Sequence, residues 1–210
     1  MTEYPKIEAL FERETNGSKK LVEGRYRNPA VEYLAGNVWS FTEKIDGTNV
    51  RIHWNGHKVE FAGRTDRAQM PKQLLDYLSD TFGTPETEEL FEQKFGDADV
   101  ILFGEGYGPK IQKGGAYRDD ISFILFDVLI GDFWLRRDDL EDVARSFGID
   151  VVPVIFEGTI DEAVRYVKGK PKSTFGTADM EGLVGRPVVE MRDRVGKRVI
   201  TKIKVCDFVS

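Results

Sequence analysis

The sequence predicts a single α+β domain over residues 1–210, built on antiparallel sheets that are flanked by helices. Three observations predict this class: many short apolar strands, helices interspersed among them, and a hairpin signal at Asn55-Gly56. The chain has 210 residues, 40% of them hydrophobic and 31% charged, which is the balance of an ordinary soluble globular protein. No repeat, low-complexity tract or linker divides it.

The elements of the first half are predicted in the following order. Residues 5–14 carry apolar side chains at helical spacing and predict a short helix. Residues 38–42 predict a strand, and the segments on either side of Asn55-Gly56 predict a hairpin with a two-residue turn. Helices are predicted over 71–82, where Pro71 stands at a favoured helix start, and over 86–95.

The second half continues the mixed pattern. Buried strands are predicted at 100–104 and 121–129, on either side of a glycine-rich basic loop. A helix over 138–147 ends at Gly148, and a helix over 159–168 is capped by Thr159 or Asp161. Further strands are predicted at 151–156, 181–191 and 199–205, with a polar loop over 169–180.

Composition excludes several classes of protein. No apolar run approaches the ~20 residues that cross a bilayer, and no secretory signal follows Met1, so no membrane partner is expected. Cys206 is the single cysteine, which excludes an internal disulfide or a multi-cysteine zinc site and favours a reducing, intracellular setting. The net charge of −6 argues against bulk coating of nucleic acid, although the last thirty residues hold seven basic side chains against four acidic ones.

Three common sources of chemistry are absent from the sequence or weakly supported by it. There is no GxxxxGK[ST] loop, so the usual phosphate-binding loop is excluded. His53 and His57 are four residues apart, but the hairpin signal between them favours two surface histidines over a metal pair. The chain has two histidines, both in the predicted hairpin, so the sequence gives little support to a catalytic Ser-His-Asp triad.

Lys44 is the candidate nucleophile. It lies in the segment 43–49, at the junction between the predicted strand 38–42 and the predicted hairpin. A free lysine amine is protonated at pH 7, so it reacts only where desolvation or neighbouring cations hold it uncharged. The KxDG tetrapeptide by itself favours a turn with a solvated lysine, so the nucleophile interpretation depends on the rest of the chain. Strand alternation places Lys202 and Lys204 on one face of the last strand, a pattern that suits an anion.

Six segments in order carry a family resemblance: EKIDGTN, AGRT, FGEG, ILFDV, EGLVGRP and KIKV. Together they resemble motifs I to V of the covalent nucleotidyltransferases, the superfamily of polynucleotide ligases and mRNA capping enzymes. The sequence is most similar to ATP-dependent RNA ligases of the group that includes the second RNA ligase of phage T4. Glu43 before the lysine, Asn49 after Gly-Thr, and the opening YPKIEALFER favour that group. The resemblance runs from about residue 4 to 205 and implies the nucleotidyltransferase (ATP-grasp-like ligase) fold.

The resemblance also implies a reaction and its partners. In this family the lysine attacks the α-phosphate of ATP and forms lysyl-AMP, with Mg²⁺ or Mn²⁺ as the metal. AMP then passes to an RNA 5′-phosphate, and a 3′-hydroxyl displaces it to seal the strand. The expected substrate is RNA with 5′-phosphate and 3′-hydroxyl ends, including a nicked duplex. The expected form is a monomer in the cytoplasm of a bacterial or phage-infected cell.

The matching motif positions imply roles for individual residues. Lys44 is the expected nucleophile, and Lys202 and Lys204 are the expected catalytic cations that neutralise the α-phosphate. Glu181 is the expected metal-binding acid, and Glu105 matches the acid that binds the ribose hydroxyls. Phe126 matches an adenine-stacking aromatic, while its apolar neighbours fit core packing equally well. The residues expected to contact the nucleotide are Glu43, Asn49, Arg64, Glu105, Phe126, Glu181, Lys202 and Lys204.

The sequence departs from this family in length, since six residues follow Lys204 where the ligases usually carry a further domain that grips the polynucleotide. No separate C-terminal domain is expected, and a helper protein or domain is a possible partner. The basic segment 108–118, with Tyr107 and Tyr117 at its ends, is a second candidate for the nucleic-acid contact. Two other functions remain open: a DNA ligase or capping guanylyltransferase, and a non-catalytic module that binds nucleic-acid ends.

Overall fold

The computed structural model describes residues 1–15 and 20–208. The chain divides into two compact units. Unit 1 comprises Met1–Tyr4 and Asp46–Val152, and unit 2 comprises Pro5–Ile45 and Pro153–Ser210. Each unit is discontinuous in sequence, so no single cut separates them, and the single domain over 1–210 stays a prediction.

The described residues form strands and helices that confirm the α+β class. The strands are β1 (Glu8–Ala9), β2 (Phe11–Arg13), β3 (Leu21–Tyr26), β4 (Trp39–Lys44), β5 (Thr48–Trp54), β6 (Val59–Ala62), β7 (Val100–Tyr107), β8 (Ser122–Ile130), β9 (Phe133–Trp134), β10 (Asp150–Val151), β11 (Val154–Gly158), β12 (Gly182–Pro187) and β13 (Thr201–Lys204). The helices are α1 (Pro29–Tyr33), α2 (Lys72–Phe82), α3 (Pro85–Phe95), α4 (Arg137–Phe147) and α5 (Ile160–Lys168). None of the helices in this part of the chain has the length and apolar composition of a bilayer span.

Unit 1 is organised around one sheet with the strand order β10-β8-β7-β5-β6, and β9 pairs with β8. Its pairings are antiparallel except that β10 runs parallel to β8. One face packs against α2, α3 and α4, because these helices turn apolar side chains such as Leu78, Phe91 and Leu140 towards Val50 and Ile52. The opposite face carries a smaller apolar cluster around Phe103 together with the polar side chains described below.

Unit 2 contains a sheet with the strand order β1-β13-β12-β4-β11. β1 runs parallel to β13, and the remaining pairings are antiparallel. The apolar face of α5 packs with Trp39, Phe41 and Leu183 of the sheet in one buried cluster. Thr159 and Glu162 form a capping box at the start of α5, which fixes where this helix begins.

Several predicted elements are confirmed. The strand at 38–42 corresponds to β4, the four longer helices lie where they are predicted, and the buried strands at 100–104 and 121–129 correspond to β7 and β8. Gly148 ends α4 in a left-handed conformation, as the sequence indicates. The final strands are shorter than predicted, over 182–187 and 201–204. β3, α1 and β9 were not predicted.

The predicted helix over 5–14 is wrong. Glu8–Ala9 pairs with β13, and Phe11–Arg13 pairs with β3, so partners distant in sequence override the helical spacing. Leu10 and Phe11 are buried in the core of unit 2, which uses the same apolar residues in extended backbone.

Two boundaries also differ from prediction. The strand expected at 151–156 is two strands in different sheets, because Pro153 has no N–H to continue a ladder. In the hairpin, the pair Trp54 and Val59 is followed by a hydrogen bond from the Asn55 N–H to the carbonyl oxygen of Lys58 at 3.2 Å, so the two-residue turn is centred on Gly56 and His57 rather than on Asn55 and Gly56. The Asn55 side chain also accepts hydrogen bonds from the N–H groups of His57 and Lys58, which closes the turn.

Candidate active site

Lys44 lies at the end of β4, where three strands of unit 2 come into register. Lys44 stands opposite Gly182 of β12, and Gly182 stands opposite Lys204 of β13. Gly182 fits this position because a Cβ there would lie 2.1 Å from the carbonyl oxygen of Ile203. The register therefore brings Lys44 and Lys204 to the same end of these neighbouring strands. Glu181, the residue before β12, lies at that end as well.

Glu181 bridges the two lysines. Its Oε2 lies 2.6 Å from Lys44 Nζ, and its Oε1 lies 2.5 Å from Lys204 Nζ. The side chains of Lys44, Glu181 and Lys204 are 23%, 15% and 33% exposed, so the cluster is shielded but open to solvent. Burial lowers the pKa of Lys204, but the hydrogen bond and charge of Glu181 outweigh this and leave that pKa raised. Two cations thus share one carboxylate.

Lys202 lies two residues before Lys204 on β13 and is half-buried. Residues 201 and 203 are buried while 202 and 204 are half-exposed, which confirms the predicted alternation along this strand. The cluster with Lys202 has three cationic groups and one carboxylate on neighbouring strands. Such an excess of positive charge suits a polyphosphate, and Lys44 supplies an amine that can act as a nucleophile once it loses its proton.

Glu43 does not join this cluster. Successive side chains of a strand point to opposite faces, and Glu43 is buried on the face away from Lys44. Its carboxylate accepts hydrogen bonds from the Ser173 hydroxyl at 2.5 Å, the Thr174 hydroxyl at 2.5 Å and the Thr174 N–H at 3.0 Å. The structure does not bring Glu43 to the lysine cluster, because its carboxylate holds the loop that precedes Glu181. Its contact with the nucleotide stays a prediction.

In unit 1, Asn49 and Glu105 stand opposite each other on β5 and β7. The Asn49 amide nitrogen donates a hydrogen bond to Glu105 Oε2 at 3.2 Å. Gly47 allows the turn before β5 to approach β7 closely, since a Cβ there would lie 2.3 Å from the carbonyl oxygen of Gly106. The structure therefore pairs two of the residues that the sequence assigns to nucleotide contact.

Phe126 lies at a bulge in β8, where the register with β7 shifts. Its half-buried ring meets the edge of the Tyr4 ring at a centroid distance of 5.0 Å. The Tyr4 hydroxyl donates to the buried carboxylate of Asp127 at 2.8 Å. Part of the Phe126 ring is thus engaged in packing and part remains accessible, so both sequence interpretations have support.

Arg64 lies in the loop between β6 and α2, and its side chain is exposed. The loop is anchored by Arg51, whose guanidinium contacts Gly63 and Asp66 on either side of Arg64. Arg51 was not among the predicted site residues. A charged residue at a strand position between the apolar Val50 and Ile52 was its only sequence signal.

The basic segment 108–118 is folded rather than extended across the surface. Tyr107 and Tyr117, at the two ends of this segment, are buried. The Tyr117 hydroxyl accepts a hydrogen bond from the N–H of Asp46 at 3.1 Å, and the Arg118 guanidinium lies over the Tyr107 ring. Both tyrosines thus help to hold this loop in unit 1, and contact of the segment 108–118 with nucleic acid stays a prediction.

The site can bind a divalent metal ion if the phosphates of a nucleotide supply some of the ligands. No group of three or more His, Cys, Asp or Glu side chains in residues 1–15 and 20–208 is arranged to bind a metal ion alone. Mg²⁺ commonly uses one or two carboxylates, several waters and the phosphates of the substrate. Glu181 provides one such carboxylate, so the residues present fit this mode of binding.

The family model described as RNA ligase matches residues 37–204. Among solved structures, an apo variant of Naegleria gruberi RNA ligase is 17% identical with a TM-score of 0.66, covering 97% of this chain and 60% of that one. A variant with AMP and manganese is 19% identical with a TM-score of 0.64, covering 95% and 59%. A variant with ATP and manganese is 17% identical with a TM-score of 0.64, covering 95% and 58%. The chain thus spans about three fifths of the length of these structures and shares their fold.

Proposed function

The chain belongs to the RNA ligase family. We propose that it is an ATP-dependent RNA ligase that forms a covalent AMP adduct on Lys44. The observation that carries the proposal is the Glu181 carboxylate shared by Lys44 and Lys204 at the aligned ends of β4, β12 and β13. This arrangement combines an amine nucleophile with fixed positive charge, and both are required to attack a nucleoside triphosphate.

The first step forms a phosphorus–nitrogen bond. The neutral amine of Lys44 attacks the α-phosphorus of ATP, and the bond to the bridging oxygen breaks to release pyrophosphate. Lys202 and Lys204 neutralise the charge that develops on the α-phosphate oxygens. Glu181 accepts a hydrogen bond from the Lys44 ammonium in the resting protein and so orients its nitrogen before the proton leaves.

A divalent cation, Mg²⁺ or Mn²⁺, supplies further neutralisation of the phosphate oxygens when it is bound. Glu181 is the residue that we assign to it, since its carboxylate is a hard oxygen ligand beside the cationic cluster. The structural relatives with manganese and with ATP or AMP support this choice of cofactors.

The residues of unit 1 are assigned to the nucleoside and to phosphate. Glu105, held by Asn49, provides a carboxylate that can accept hydrogen bonds from ribose hydroxyls. The accessible part of the Phe126 ring provides an apolar surface for the adenine base. Arg64 has an exposed guanidinium suited to a phosphate.

The later steps follow from the same proposal. AMP passes from Lys44 to the 5′-phosphate of an RNA end, and a 3′-hydroxyl then displaces AMP to make the phosphodiester bond. We propose RNA ends of this chemistry, including those of a nicked duplex, as the substrate of a monomeric enzyme. A helper protein or domain that grips the RNA, and a cytoplasmic setting in a bacterial or phage-infected cell, stay predictions.

The direct test incubates the protein with ATP labelled at the α-phosphate and with Mg²⁺. We expect an acid-labile AMP label on the wild type and none on Lys44→Ala. Lys168→Ala is the matched control, since Lys168 also lies in unit 2 with its amine 2.6 Å from a glutamate oxygen, and it should keep the label. A wild-type protein without label contradicts the proposal.

Two further arms separate the alternatives. GTP in place of ATP tests for a guanylyltransferase, and DNA ends in place of RNA ends test for a DNA ligase. Nicked and single-stranded RNA, each with and without a preformed 5′-adenylate, show which ends are sealed. A module that binds nucleic-acid ends without catalysis would bind RNA equally well in wild type and Lys44→Ala and would form no label.

A further inference from the structure

Arg51 is a buried cation to which the proposed reaction gives no role. It lies in the middle of β5, and its side chain is 0% exposed. Strand alternation places it on the same face of the sheet as Asn49, whereas Val50 and Ile52 belong to the apolar core on the other face. A buried guanidinium is tolerated only when its donors are satisfied, so its partners indicate what it holds in place.

The donors of Arg51 reach two separate segments of the chain, residues 63–66 and residues 1–2. Nε donates to the carbonyl oxygen of Gly63 at 2.8 Å, and one terminal nitrogen donates to Asp66 Oδ1 at 2.8 Å. The other terminal nitrogen donates to the carbonyl oxygens of Met1 at 2.9 Å and Thr2 at 3.2 Å. The rigid fork of the guanidinium fixes these distances together, which the single ammonium of a lysine cannot do.

Gly63 and Asp66 bracket Arg64, the residue that the proposed function assigns to a phosphate. Gly63 precedes it directly and Asp66 follows two residues later, so both of these loop positions are tied to the same side chain. The N–H of Ala68 donates to the carbonyl oxygen of Thr65, which closes the turn after Arg64. The exposed Arg64 side chain therefore projects from a loop that the buried Arg51 side chain holds in place at Gly63 and Asp66.

We propose that Arg51 is a positioning residue, which fixes the loop 63–66 so that Arg64 meets a phosphate of the nucleotide or of the RNA 5′-end. This inference rests on the proposed function, because the reaction gives Arg64 its ligand. Asp66 completes the anchor, since its carboxylate is the acidic partner of Arg51 and is itself 64% exposed. The carbonyl contacts to Met1 and Thr2 extend the same anchor to the segment that carries Tyr4, the partner of Phe126.

The test is built on Asp66→Asn, which removes one anchor at an exposed carboxylate and leaves the buried Arg51 in place. Asp142→Asn is the matched control, because Asp142 is a comparably exposed carboxylate of unit 1 that is bonded to Lys94. Arg64→Ala and the double variant Arg64→Ala with Asp66→Asn complete the set. Arg51→Gln and Arg51→Lys test the buried guanidinium directly. If either variant fails to fold, Asp66→Asn alone still tests the proposal.

The first measurement is amide hydrogen exchange of residues 63–68, which does not depend on ligation. We expect Asp66→Asn to accelerate exchange in this loop by about tenfold or more, with no change in Asp142→Asn, since local opening follows the loss of local contacts. Arg51→Lys should accelerate it less than Arg51→Gln does. Unchanged exchange in Asp66→Asn and in the folded Arg51 variants overturns the proposal.

The second measurement compares single-turnover rates of lysyl-AMP formation and of sealing a preformed 5′-adenylate. Asp66→Asn should slow the same step as Arg64→Ala, by roughly tenfold, because small displacements of a positioned group are costly. In the Arg64→Ala background Asp66→Asn should cause no further loss. Losses that multiply in the double variant overturn the positioning role. A wild type that forms no lysyl-AMP refutes the proposed function alone, and the exchange result still decides whether Arg51 anchors the loop.

Discussion

The amine of Lys44 lies 2.6 Å from Oε2 of Glu181, while the other oxygen of that carboxylate is bonded to Lys204. The proposed nucleophile is therefore held by a carboxylate in the resting protein. Removing this carboxylate leaves two ammonium groups close together without their shared counter-charge.

Glu181→Gln should lower the rate of lysyl-AMP formation by about 10²-fold, the magnitude typical for loss of one preorganised electrostatic partner. The measurement is single-turnover labelling with ATP at saturating Mg²⁺. Glu190→Gln is the control, because Glu190 is an exposed glutamate of the same unit that pairs with Arg192 and Arg198. Labelling of Glu181→Gln at the wild-type rate would show that the carboxylate is not required.

Lys204 should remain charged throughout the neutral range. Its folded pKa is raised above the ordinary value of 10.5, so the attraction to Glu181 stabilises the fold below that pH and is lost as the pH rises through the folded pKa. Lys204→Arg keeps the positive charge at every pH in this range. We expect its pH–rate profile for lysyl-AMP formation to keep the wild-type shape from pH 6 to 9, even where the rate itself falls. A changed shape would mean that Lys204 titrates in this range.

Glu43→Ala should destabilise unit 2, because the donors of Ser173 and Thr174 lose their buried acceptor. The expected loss is about 2–3 kcal/mol in the free energy of unfolding, measured by urea denaturation. Glu157→Ala, at an exposed glutamate on β11, should stay within about 0.5 kcal/mol. Equal stability of the two variants would argue against the loop-holding role of Glu43.

Phe126→Leu separates stacking from core packing. Leucine keeps an apolar group against Tyr4 but removes the aromatic face, so we expect the KM for ATP to rise by about tenfold, in line with base-stacking energies. Phe133→Leu is the control, since Phe133 lies on β9 and is largely exposed. An unchanged KM together with a lower melting temperature would assign Phe126 to the core alone.

Gly47→Ala should distort the turn that follows Lys44. The added methyl group would lie 2.3 Å from the carbonyl oxygen of Gly106 and 2.8 Å from Cγ of Glu105, and main chain cannot move aside cheaply. We expect a loss of about 1–3 kcal/mol in stability and slower lysyl-AMP formation. Gly36→Ala, where the methyl group meets no heavy atom within 4 Å, should retain both properties.

Much of the cationic cluster could be predicted from the sequence because strand alternation is a local property. The two-residue spacing of Lys202 and Lys204 is sufficient to place both side chains on one face of β13. The pairing of Lys44 with Glu181 depends on the register between β4 and β12, which the sequence alone does not determine. It could be anticipated only through the ordered family motifs.

The remaining features depend on partners that are distant in sequence. Glu43 follows the same alternation that places Lys44 in the cluster, yet its own partners lie 130 residues away in a polar loop with no recognisable pattern. The segment 5–14 has helical spacing, but pairing with β13 and β3 determines its backbone. Arg51 gave little signal because a lone arginine in a strand usually faces solvent.

The parallel pairing of β1 with β13 has a consequence for biosynthesis. Glu8 lies opposite Thr201, 193 positions along the chain, and β13 in turn pairs with β12. This sheet is incomplete until residue 204 has left the ribosome, whereas the strands β5 to β10 of the other sheet are all synthesised by residue 151. Domains generally fold as units during synthesis, and long-range pairing is slow. We therefore expect Lys44 to reach its position late, after the sheet of unit 1 has formed.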